Sequence, residues 1–204
     1  MSFSCFVLLL FGATTDPKDC TQCDPEASQS IFSNPIVAPK TTIIALDLTH
    51  QVLATPTVQS RVLHGTDDRA TTATPTVLRR LFHDLLVFFA GTYHNSFGIS
   101  AGPPLHDPLA VAVVLSTLNP IFARQHPDQA LKFDDKDGER FGITVVTDGL
   151  HGVDLAITGQ LGRSVASPSE RRGVAIPRGV DLEAFWTLIL DCLQRADDWN
   201  AQRP

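Results

Sequence analysis

Basic character is what this 204-residue chain has least of: 16 lysines and arginines stand against 22 aspartates and glutamates, a formal net charge of −6. Lys and Arg are never clustered beyond an adjacent pair, so the basic face that nucleic acid or an anionic membrane surface requires is missing, and neither is expected as a partner. Cysteine is sparse as well. Cys5, Cys20, Cys23 and Cys192 are too few and too unevenly placed to staple a chain of this length, which points to reduced thiols and a cytoplasmic protein. Cys20 and Cys23 form a CxxC, but a structural zinc site takes four ligands, and no second CxxC or spaced Cys/His pair accompanies it. Long apolar runs are lacking too. Phe3 to Ala13 suits a signal-peptide core in length but falls short of the roughly 20 residues of a membrane span, and no Lys or Arg precedes it. A buried strand or a segment foreign to the rest of the chain is the expectation there.

What the chain does have is 43% hydrophobic residues, enough to bury one sizeable core in a single domain. Its punctuation is regular and without internal repeats. Asp24 and Pro25 supply an N-cap and a first helical residue, and Ala27, Ile31 and Phe32 follow at helical spacing. Thr41 to Thr49, "TTIIALDLT", is a β-branched and apolar run of the kind buried on both faces of a parallel sheet. From Thr74-Pro75 a long helix is predicted, with Leu78, Leu81, Phe82, Leu85, Phe88 and Phe89 forming a wide apolar face that docks on the core. Asp107 and Pro108 open another helix, apolar all round and therefore buried, which Asn119-Pro120 ends. A second buried strand is expected around Ile143 to Thr147, and a closing amphipathic helix capped by Asp181. Strands alternating with helices predict an α/β fold with a mainly parallel sheet, whose ligands bind beyond the carboxyl ends of its strands. The polar stretches "GTDDRATTATP" and "FDDKDGER" are loops; the second lacks the spacing and the closing Glu of a calcium loop.

In "GPPLHDPLAVAVVL", Gly102 to Leu115, two ionisable groups stand side by side where a buried helix begins. As an N-cap, Asp107 accepts hydrogen bonds from unpaired helix N–H groups and gains from the macrodipole, so capping alone accounts for it. A carboxylate kept ionised there is also a ligand for a hard cation, and the neighbouring His106 exchanges a proton near neutral pH.

The ordered motifs "DPEASQSIFSNP", "ALDLTHQVLATP" and "GPPLHDPLAVA", with the closing "VAIPRGVDLEAFWTLILDCLQRAD", resemble the inosine/uridine-preferring nucleoside hydrolases, in particular their fungal uridine-ribohydrolase-like branch. The resemblance runs from about Asp24 to Asp197. It implies a Rossmann-like, mainly parallel sheet, a ribonucleoside substrate cleaved at its N-glycosidic bond to free base and ribose, a bound Ca²⁺ and a possible homo-oligomer. It further implies Asp107 as a calcium-ligating carboxylate, Thr49 as a ligand through its backbone carbonyl at a strand end, and His106 as the leaving-group proton donor or at least a base-side contact. Tyr93 stands where some members place an aromatic facing the nucleobase. His50 and His94 are expected to be loop or surface histidines.

The chain also departs from that family. The D-x-D-x-x-x-D-D strand that supplies most calcium ligands and the water-activating base has no counterpart here, and Lys18 and Cys20 stand where E-F-N carries its Glu and Asn. Residues 1–20 are therefore expected to be an unmatched segment, and 21–204 the C-terminal part of a nucleoside hydrolase domain missing its N-terminal strands. Asp107 and the Thr49 carbonyl offer two or three oxygens against the roughly six to eight that Ca²⁺ takes. The expectation is a ribonucleoside hydrolase by family whose chemistry this chain alone does not complete. The alternative is a non-catalytic fragment or partner subunit of a complete enzyme. Purine or pyrimidine preference is not legible.

Overall fold

The computed structural model describes residues 24–65, 74–149, 161–169 and 172–202. The apolar segment Phe3 to Ala13, the CxxC and most of the "GTDDRATTATP" loop lie outside the described residues. The chain forms two units, Met1–Gln51 with His106–Val180, and Val52–Leu105 with Asp181–Pro204.

In the first unit, helix α1 (Pro25–Ser33) begins as its sequence dictates: the Asp24 carboxylate accepts from the Ala27 N–H at 2.8 Å and Pro25 takes the first turn. Its apolar side packs on strand β2 (Phe141–Val145), where Phe32, Ala38, Ile43, Ile143, Val145 and Val174 form one buried cluster. A polar tie holds the same face: the Val145 N–H donates to Gln29 Oε1 at 2.6 Å. Along β2, Ile143 and Val145 are buried while Gly142 and Thr144 are exposed, the two-residue period of a half-buried strand.

The strands differ from the parallel sheet predicted. β2 pairs antiparallel with β3 (Ser164–Pro168), from Phe141 opposite Pro168 to Val145 opposite Ser164, and β1 (Phe133–Asp134) pairs antiparallel with β4 (Gly179–Val180). Parallel pairing among the described residues is confined to two single bridges, Thr42 with Ala175 and Ser116 with Leu131. Val174, beside Ala175, bridges antiparallel to Phe141, so a short mixed ladder runs from Thr42 to β3. That ladder requires glycine at 173, because a Cβ there would stand 2.1 Å from the Phe141 carbonyl oxygen.

The run from Thr41 to Thr49 is thus not one strand. Ile43 and Ile44 are buried, but Leu46–Thr49 turn into a short helix, α2, closed by Thr49 N–H to Ala45 and His50 N–H to Leu46 carbonyls. The β-branched run ends at Ile44, and the less β-prone Ala-Leu-Asp that follows leaves the backbone to satisfy itself locally. The helix predicted from Asp107 to Asn119 is also divided. It comprises α5 (His106–Ala112) and a 3₁₀ turn to Leu115, after which Asn119 caps a new helix, α6 (Pro120–Gln125), through the Ile121 and Phe122 N–H groups. Asn-Pro here starts a helix, which its capping chemistry allows as readily as a stop.

The second unit joins α3 (Pro56–His64), α4 (Val77–Phe97) and α7 (Leu182–Ala201). Thr55, Thr76 and Asp181 cap them through side-chain oxygens. Val58 and Val62 of α3 are buried, as are Phe185, Trp186, Leu190 and Leu193 of α7. At their meeting Arg79, 6% exposed, donates to Asp197 Oδ2 at 2.5 Å, to the Val62 carbonyl at 3.0 Å and to Gln194 Oε1 at 3.0 Å, while the Thr76 hydroxyl donates to the other Asp197 oxygen at 2.7 Å. A buried charge is tolerated because every arm of it is paired.

α4 does not dock its wide apolar face. Arg79 and Leu86 are its buried residues, whereas Val77, Leu81, Leu85, Phe88 and Phe89 are exposed, Phe88 at 67%. The core-facing direction lies a third of a turn from the hydrophobic stripe that periodicity singles out. No helix among the described residues is long and apolar enough to cross a membrane.

Two outcomes follow from the packing of this unit. Asp197→Ala leaves the Arg79 guanidinium buried and unpaired, and urea unfolding should show a loss of about 3–5 kcal/mol; a loss below about 1 kcal/mol would mean the pair behaves as a surface one. Leu81→Glu with Phe88→Glu should reduce binding of an apolar fluorescent dye while changing stability by no more than about 0.5 kcal/mol per site. A large drop in stability would instead place that face in a core.

Candidate functional site

Within the first unit, α2 and the start of α5 bring together residues 57 positions apart. Leu48 and Leu109 are almost fully buried and give the two short helices their apolar ground. Thr49, 0% exposed, then points its hydroxyl at the imidazole: Oγ1 lies 2.8 Å from His106 Nδ1 and 3.2 Å from the Leu46 carbonyl. His50, exposed, sets its ring edge-on to His106 with centroids 5.9 Å apart. The result is a half-buried imidazole, held on one side by a hydroxyl and flanked by a second imidazole and a carboxylate.

His106 and Asp107 sit differently from the predicted capping arrangement. α5 begins at His106, so Asp107 lies inside the first turn with its side chain in solvent, and among the described residues no helix N–H donates to it. Its charge still stands at the positive end of the helix. Thr49 also differs in setting, since it ends a helix and not a strand.

Burial pushes the His106 pKa below the ordinary imidazole value of 6.5; a charge on His50 pushes the same way, and Asp107 opposes both. At neutral pH the ring is therefore uncharged. Because the folded ring holds a proton less firmly than the unfolded one, its contribution to stability is present above the ordinary value and is lost as pH falls through the folded one.

Tyr93 belongs to the second unit. It is half-buried on α4, its ring tilted 33° against Phe97 at 5.4 Å. The chain closes α4 with Gly98 in the left-handed region. Further on, Gly102 lies so close to Ala54 that a Cβ would stand 2.3 Å from its carbonyl oxygen. Thr49, His106 and Asp107 are thus gathered in one unit, and Tyr93 belongs to the other.

Asp107 and the Thr49 carbonyl are oxygen donors of the kind a hard cation takes. Among the described residues, however, no group of three or more His, Cys, Asp or Glu side chains comes together to hold a metal ion. The donors present therefore do not fit a complete calcium site. His50 is exposed in a turn, as a loop or surface histidine is expected to be; what sequence reasoning passed over is the Thr49 hydroxyl, whose partner becomes visible once α2 is folded.

Comparison with solved structures bears on the fold. The chain shares its fold with a purine-preferring ribonucleoside hydrolase from Gardnerella vaginalis, with a TM-score of 0.53 at 22% identity over 83% of this chain and 44% of that one. It is also similar to the uridine nucleosidase of Saccharomyces cerevisiae, 31% identical over 175 residues, which cover 85% of this chain and 46% of that protein. With the inosine-uridine preferring nucleoside hydrolase of Crithidia fasciculata it shares 28% identity over 181 residues, 86% of this chain and 45% of that protein. The model of the inosine-uridine preferring nucleoside hydrolase family matches residues 21–187, and the chain belongs to that family. It spans about half the length of the curated relatives it matches.

The electrostatics give a signed test. In an NMR titration the His106 ring should protonate below the ordinary imidazole value, with His50→Ala raising its midpoint and Asp107→Asn lowering it further. A midpoint at or above 6.5 would show that the ring is neither buried nor repelled as described.

Proposed function

We propose that this chain carries the leaving-group side of a ribonucleoside hydrolase site, in which water replaces the nucleobase at the ribose anomeric carbon and the base departs with a proton. Family membership supports the reaction class. The observation that carries the assignment to this part of the molecule is the half-buried His106, held by the Thr49 hydroxyl at 2.8 Å. Two roles are open to it, leaving-group proton donor and base-side contact. Asp107, anionic at the N-terminal end of α5, belongs on the electron-poor sugar side of an oxocarbenium-like transition state. A cytoplasmic location is part of the same reading. Calcium enters only with oxygen donors beyond those described, and the roles given to His106 and Asp107 do not depend on it.

Water activation is the part these residues do not supply, because the D-x-D-x-x-x-D-D carboxylates are not in the sequence. General-base help of about 10²- to 10⁴-fold is lost with them. Uridine added to the histidine-labelled protein should therefore shift the His106 ring resonances without releasing uracil. His106→Ala should weaken binding by about tenfold, the equivalent of one hydrogen bond. A hybrid carrying the aspartate segment should release uracil. His106 resonances that stay put at saturating uridine would overturn the base-side assignment, and a folded hybrid that binds uridine but leaves it intact would overturn the reaction class.

A further inference from the structure

On α4, Val77, Leu81, Leu85 and Phe88 recur at the three- and four-residue spacing of a single helix stripe and are 81%, 58%, 46% and 67% exposed. With the half-exposed Phe89 beside them they present roughly 600 Å² of apolar side chain, the upper end of what a monomer leaves open in one patch. An equal patch laid over it would bury about 1,200 Å² in total, the area at which specific interfaces begin. One edge of the stripe is charged. Arg80 and Asp84, both exposed, stand there one helical turn apart, Arg80 donating to the Pro75 carbonyl at 3.2 Å and Asp84 lying 3.3 Å from the ring of His83.

Two copies of this stripe complement each other in one direction. In an antiparallel pair whose two-fold axis passes level with Phe82 and His83, Val77 meets Phe88 of the partner subunit and Leu81 meets Leu85 of the partner subunit. The charged edge of each helix then faces the same edge of the other, and Arg80 comes opposite Asp84 of the partner subunit, twice by symmetry. A parallel pair would set arginine against arginine and aspartate against aspartate, which repel. An anionic membrane fits the face less well, because Asp84 stands on its rim and the chain carries a net charge of −6.

We propose that the exposed face of α4 is a homotypic docking surface, on which a second copy of this chain lays its own α4 antiparallel, with Arg80 and Asp84 setting the register. The inference is independent of the roles given to Thr49, His106 and Asp107. Its small area gives a dimer that forms in the micromolar range, so at lower concentrations the face is open to an apolar dye.

Sedimentation equilibrium of the full chain from about 1 to about 200 µM tests this, with circular dichroism confirming that each variant is folded. The unaltered protein should pass from monomer to dimer across that range. Leu81→Glu, which would place a charge in the centre of the contact, should weaken association about 100-fold or more. Arg80→Glu alone and Asp84→Arg alone should each weaken it about tenfold, and the two together should restore it, because exchanging the charges rebuilds both pairs. A chain that stays monomeric at the highest concentration overturns the proposal; binding of that monomer to neutral phosphatidylcholine vesicles, lost in Leu81→Glu, would assign the face to a lipid surface instead. A dimer indifferent to Leu81→Glu overturns the choice of face. A dimer sensitive to Leu81→Glu but not restored by the double exchange overturns the antiparallel register.

Discussion

A hydrogen bond of 2.8 Å between the Thr49 side chain and the His106 ring fastens two short helices that neither length nor propensity would hold. α2 is four residues long and α5 seven, each far below what an isolated helix needs in water. They persist because Leu48, Thr49 and Leu109 are buried against the same ground. The polar bond within that apolar setting orients the imidazole, and the setting itself keeps the imidazole neutral. Structure and chemistry therefore have one cause at this point: the burial that stabilises the helices also decides what the histidine can do.

The second unit applies the same rule to a charge. Arg79 brings a guanidinium between α3, α4 and α7, and its hydrogen bonds are divided among a carboxylate, an amide and a backbone carbonyl. Such a cluster is a device for registering helices against one another more than a source of net stability. It also explains how α4 comes to leave its phenylalanines outside: the helix is pinned through Arg79 and Leu86, and the stripe of Val77, Leu81, Leu85 and Phe88 turns away from that direction.

The helix starts are the part of the fold most legible in the sequence. Asp24-Pro25 and Asp181 act through local side-chain to backbone bonds, which depend on a few adjacent residues alone. Strand pairing is the part least legible, since whether Ile43 and Ile143 lie in parallel or antiparallel ladders is decided by residues far away in the chain. The apolar face of α4 misleads for a related reason: periodicity identifies a stripe but not the partner that covers it. In the site, "LHDPLAVA" marks His106 and Asp107 directly, and the family resemblance agrees with the family match. The Thr49 hydroxyl is hidden in the sequence because its meaning lies in a contact across 57 residues. Asp107 shows a smaller failure, in which a residue well suited to capping sits one step inside the helix and keeps its carboxylate in solvent.

The most direct measurement is the nuclear Overhauser effect between the His106 imidazole protons and the Thr49 γ-methyl group in the ligand-free protein at neutral pH. A strong cross-peak, unaffected by His50→Ala, is expected if the hydroxyl holds the ring as described. A folded protein in which the ring shows no proximity to Thr49 would contradict the arrangement of α2 against α5 on which the candidate site stands.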